Sequence, residues 1–137
     1  MKYSPETQAK FIILADMLFV VAPIFLLFIV KLNSGTLCQL FTSPDIGYAN
    51  IVLFGQTIVR LVSGIARSKK TFSWQLVALL VAAIIVLGLF PASAVLFLTL
   101  SEKPNAILFV FQWILFAAGL MAYFVLGTLG QKYHVAE

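Results

Sequence analysis

Most of this chain lies in four apolar stretches, over residues 11–30, 46–66, 72–100 and 106–129. Each reaches the roughly 20 residues that a helix needs to cross about 30 Å of hydrocarbon. Backbone in lipid must satisfy its own hydrogen bonds, which leaves helices as the way to use such runs. The expected fold is all-α: a polytopic membrane protein with four transmembrane helices in an antiparallel bundle, 1–137 forming one domain. Composition closes the soluble alternative. Of 137 residues, 62% are hydrophobic and 10% charged, with mean hydropathy +1.06; that is too little polar surface to coat a globule.

The first run is too long for the core of a cleavable signal and is interrupted by Asp16 and Pro23, so the N-terminus is expected to be retained. Ser4-Pro5-Glu6 has the pattern of a helix start: a capping hydroxyl, a proline in the first turn, and an acid favoured by the helix dipole.

Basic residues orient the bundle. Lys2, Lys10, Arg67, Lys69, Lys70 and Lys132 fall on one side of the four crossings, against Lys31 and Lys103 on the other. The positive-inside rule then puts both termini and the Arg67–Lys69–Lys70 turn in the cytoplasm, the membrane expected being a bacterial inner membrane. This basic patch also attracts anionic lipid headgroups. Direct nucleic-acid binding is not expected, because the basic residues are few and adjoin the membrane.

Two opposite charges fall inside the spans: Asp16 in the first and Arg60 in the second. A charge in lipid is expensive unless paired or wetted, which makes each a functional-site candidate. Asp16 lies six residues past Lys10, about 9 Å of helix rise, and Arg60 seven before Arg67, about 10 Å. The two are level. Spans one and two are consecutive and antiparallel, so an Asp16–Arg60 ion pair is the expected arrangement; Arg60 snorkelling to the headgroups is the alternative.

Arg60 belongs to a polar seam. At 100° per residue, Gln56, Arg60, Ser63 and Arg67 lie within about 60° of one another, flanked by Thr57 and Gly64. In lipid such a seam must face protein or water, so span two is expected to be the most buried helix. It then serves either as interhelical glue or as the lining of a wet cavity.

Two prolines mark bends. Residues 72–100 would make about 43 Å of continuous helix, too long for an upright crossing, and Pro91 among Gly88, Ala92, Ser93 and Ala94 is the expected kink or break. Pro23 predicts a milder bend in span one. Ala78 with Ala82, and Ala118 with Ala122 beside Gly119 and Gly127, are small residues at a spacing that permits close helix approach. The Gln112 amide needs a partner from span two or another subunit. Cys38, among Leu37, Leu40 and Phe41, predicts a short interfacial helix and a free, shielded thiol. Trp74, Tyr123 and Tyr48 fit an aromatic belt.

Enzymatic chemistry is not expected. One His (His134), one Cys and few acids do not assemble a metal site, no glycine loop for phosphate is present, and no cofactor is implied. Ser63 or Ser93 as a nucleophile lacks a base inside a span, and Cys38 and His134 fall on opposite sides of the membrane.

In size and layout alone the chain is similar to the small multidrug transporters, in which the first span carries a glutamate; Asp16 is the acid at hand here, while the loops and glycine pattern differ. That resemblance implies a proton-coupled transporter in which Asp16 exchanges a proton for a cation. The layout is also similar to four-span subunits of bacterial anti-phage systems, which work beside a soluble partner. Three functions are therefore in view. The preferred one is a non-enzymatic homo-oligomeric membrane subunit acting with a cytoplasmic protein, for example in phage defence. The others are a pore lined by span two and the Asp16 transporter.

Overall fold

A hydroxyl followed by a proline opens two of the long helices in the computed structural model, which describes residues 4–68, 71, 73–101 and 105–135, excluding the side chains of 133–135. Lys2, Lys69, Lys70, Phe72 and Lys103 lie outside the described residues, as does the His134 side chain. Helix α1 spans Pro5–Asn33; the Ser4 hydroxyl accepts the Thr7 N–H at 3.3 Å. Its end is closed at Gly35 (φ 69°), where the Gly35 N–H meets the Leu32 carbonyl at 3.3 Å and the Thr36 N–H meets the Lys31 carbonyl at 3.0 Å. That pair of bonds satisfies carbonyls the helix end leaves open, and the left-handed glycine makes the reversal without a Cβ clash.

A four-residue helix, α2 (Cys38–Phe41), follows in the connection, and α3 (Pro44–Arg67) starts with Ser43 accepting the Asp45 N–H at 3.3 Å. Next come α4 (Trp74–Ile84), a π-helical turn (Ile85–Leu89) and α5 (Phe90–Thr99), running as one continuous rod, and then α6 (Ala106–Val135). The π turn lies immediately before Pro91. In it the Phe90 N–H bonds back to the Ile85 carbonyl, and the widened turn moves carbonyls away from the proline ring that would otherwise collide with them. Four helical units, α1, α3, α4–α5 and α6, are long and apolar enough to cross a membrane, which marks the chain as an integral membrane protein packed as an all-α bundle.

Helix α3 is the axis of this bundle. Its main neighbour is α6, which also carries most of the contact with α1, while α1 and α3 touch in fewer places. One core cluster joins Phe54, Leu61 and Ile65 of α3 to Val77, Ile84, Ala92, Val95 and Leu115; a second joins Ile13 of α1, Leu53 of α3 and Tyr123 of α6. Helices α1 and α3 are neighbours, as their adjacency in the chain suggests, but the larger contact of α3 is with α6. The reason is steric: a Cβ on Gly64 would stand 2.0 Å from the Gly130 carbonyl oxygen, and one on Gly130 would stand 2.4 Å from that of Arg60. Only two glycines facing each other let these backbones meet so closely. Ala78 and Ala82, read from sequence as an approach stripe, are exposed instead. Close approach on that side is made by Gly88, whose added Cβ would lie 2.4 Å from the Phe54 ring.

Candidate functional site

Asp16 and Arg60 meet. The Arg60 guanidinium donates through Nη2 to Asp16 Oδ2, joining α1 to α3. A lone charge at this depth would be costly; the pair cancels most of that cost, and a charge-assisted hydrogen bond adds direction. The third member is Tyr123 of α6, 1% exposed, whose phenol has the Arg60 guanidinium as its polar neighbour and Asp16 close by. An aromatic-belt position does not describe Tyr123. Its hydroxyl is drawn inward by the ion pair, a signal visible in sequence only once α6 is known to pack beside α3.

The pair is not sealed. The side chains of Arg60 and Asp16 are 32% and 29% exposed. Along the same face of α3, Gln56 and Arg67 are exposed and Ser63 is half-buried, its hydroxyl donating to the Val59 carbonyl of its own helix at 2.5 Å. Thr57 and Gly64 point the other way, into the α6 interface; Thr57 is fully buried and its hydroxyl donates to the Leu53 carbonyl at 2.7 Å. The seam of α3 therefore divides. Thr57 is interior, whereas Gln56 and Arg67 are exposed, and Arg60 and Ser63 half-buried, along a stripe on the flank of α3. Helix α3 is nevertheless the most buried of the four spans, because its opposite faces are covered by α6 and α5.

At this basic end, Glu6 pairs with Lys10 at 3.2 Å and with Lys132 at 3.7 Å, tying the start of α1 to the end of α6. Arg67 closes α3 at the same end; Lys69 and Lys70 lie outside the described residues.

The opposite end holds a second polar cluster. Gln112 is fully buried, and its Nε2 donates to the Ser43 carbonyl at 2.9 Å; Asn50, equally buried, donates through Nδ2 to the Gln112 carbonyl at 3.0 Å. These bonds stitch α6 to the first turns of α3, so the partner for Gln112 comes from the neighbouring helix. The remaining amide oxygens, Asn50 Oδ1 and Gln112 Oε1, accept nothing in the protein. Beside them the Trp113 indole donates to the Phe41 carbonyl at 3.2 Å and stacks at 5.6 Å on the Phe41 ring, which anchors α2 to α6.

Other candidates are spent or isolated. The Ser93 hydroxyl donates to the Leu89 carbonyl at 2.8 Å, the usual back-bond of a helical serine. Cys38 is an exposed free thiol, and not the shielded one expected. Pro23 lies within α1 on a wall between α1 and α3. Among the described residues no three His, Cys, Asp or Glu side chains gather as a metal site would require.

The geometry defines a class, a four-span integral membrane protein in which an Asp–Arg ion pair joins two of the spans. Compared with known proteins, the chain matches no protein-family profile, no curated protein and no solved structure.

Proposed function

We propose that this protein is a non-enzymatic membrane subunit that works as an assembly of identical copies, packed through the stripe on the flank of α3. One observation carries the reading: Gln56 is exposed at membrane depth, with Arg60 and Ser63 half-buried along the same face and the Asp16–Arg60 pair about a third exposed. Acyl chains cannot hydrogen-bond such a stripe, so protein or water has to cover it. A second copy offers the same stripe in return, as a two-fold contact demands. The Lys10, Arg67 and Lys132 end is the cytosolic face by the positive-inside rule and is where a soluble partner of acidic surface would dock. The membrane proposed is the bacterial inner membrane, with anionic headgroups around the basic turn.

The same stripe favours a second reading, a pore, if several copies place it around a common axis. The mass of the particle in lipid nanodiscs, with co-purifying proteins identified, tests the first reading. A multiple of the protomer mass is expected for the native chain and a single protomer for Gln56→Trp. A native chain that runs alone, without companions, contradicts it. Ion flux in liposomes that falls in Gln56→Leu while the assembly mass holds selects the pore.

A further inference from the structure

Helices α1 and α3 are joined near the basic end by Asp16 and Arg60 but part toward the other end, leaving a cavity of about 550 Å³ between them. Its walls are apolar, among them Pro23 and Leu27 on α1 and Ala49 and Val52 on α3, and Asp45 and Tyr48 complete the α3 side. Asp45 lines the groove itself, and Lys31 lies one helical turn beyond its α1 wall. Asp45 Oδ2 accepts from the Ser43 hydroxyl at 2.6 Å, and Asp45 is otherwise exposed; Lys31 donates to Gln39 Oε1 at 3.0 Å with one of its three protons.

We propose that this groove is a binding site for a phospholipid with a zwitterionic ammonium headgroup, of the phosphatidylethanolamine kind. The acyl chain lies along Pro23 and Ala49, the ammonium donates to Asp45, and the phosphate meets Lys31. Charge complementarity picks this occupant over a second copy of the chain. An apolar helix would bury Asp45 and Lys31 with nothing to pair them, whereas a zwitterion offers each the opposite charge. An anionic headgroup satisfies Lys31 and is repelled by Asp45. Ala49 is the smallest of the side chains lining the groove.

The test is native mass spectrometry of the protein released from bilayers of phosphatidylethanolamine and phosphatidylglycerol mixed in equal amounts. The expected result is retained phosphatidylethanolamine, favoured over phosphatidylglycerol by about tenfold, the effect of one good charged contact. Ala49→Phe, which fills the groove, should remove that retained lipid without altering the assembly mass. Asp45→Asn keeps the side chain's size and an oxygen to accept from the Ser43 hydroxyl, and should cut the preference about fivefold or more while a chain is still held. Equal retention of the two lipids by the native protein overturns the proposal, as does unchanged preference in Asp45→Asn. Disulfide formation between copies through Ala49→Cys would show that protein fills the groove, and would overturn it too.

Discussion

The contact of α3 with α6 and its contact with α1 are made in opposite ways. Against α6 the backbones themselves touch at Gly64 and Gly130, and two buried amides, Asn50 and Gln112, fasten the far end. Against α1 lie the Asp16–Arg60 ion pair, a small apolar cluster around Ile13, and then an open groove. The first contact is continuous and steric, so it tolerates almost no change of shape. The second is pinned by an ion pair, so its strength depends on what surrounds two charges. A bundle built this way has a rigid half, α3 to α6, and a helix, α1, hung on it. Most of the α1 surface, including Leu18, Phe19 and Leu26, is exposed, consistent with a helix whose partners include lipid.

The contrast breaks first at the glycines. Gly64→Ala places a methyl 2.0 Å from a backbone oxygen that no side-chain rotation relieves, and should cost about 3 kcal/mol, at the upper end of overpacking effects. Denaturation in mixed micelles reads this as a lowered unfolding midpoint. The pin comes next. Arg60→Gln or Asp16→Asn leaves its partner charged and unpaired, at about 2 kcal/mol, less than the 3–5 kcal/mol of a fully buried pair because both side chains are partly exposed. The double exchange Asp16→Arg with Arg60→Asp should recover most of that loss, and equal damage in the double variant would argue against direct contact.

Gln112→Leu sharpens the comparison from the rigid side. It removes the bond to the Ser43 carbonyl but also an oxygen that accepts nothing, so about 1 kcal/mol is expected, near the usual worth of an interhelical hydrogen bond in membranes. Smallest is Cys38→Ser: an exposed thiol in the connection should change stability by less than about 0.5 kcal/mol, and a labelling assay on the native protein should modify Cys38 readily.

The four apolar helices were legible in the sequence because length and hydropathy alone set them, and Pro91 was legible as a local irregularity because its ring forbids a regular turn, although it produces a π turn within a continuous helix and not a break. The levels of Asp16 and Arg60 followed from counting residues to Lys10 and Arg67. Which helix would make the larger contact with α3 was not legible. Chain adjacency made α1 a neighbour, which it is, but the larger contact with α6 depends on Gly64 and Gly130, two residues 66 positions apart whose facing appears only after folding. For the same reason Tyr123 read as a belt residue: its place beside Arg60 depends on the α3–α6 crossing. The division of the seam, Thr57 inward and Gln56 outward, also needed that crossing, since helical periodicity sets relative angles and not which face meets the core.

The stripe on the flank of α3 is the claim on which the proposed assembly stands, and oxidative cross-linking in native membranes probes it most directly. In a Cys38→Ser background, Gln56→Cys should link two copies into a dimer, while Leu79→Cys, also exposed but on α4, should stay monomeric. Dimers at Leu79 without dimers at Gln56, or none at either, would contradict the account.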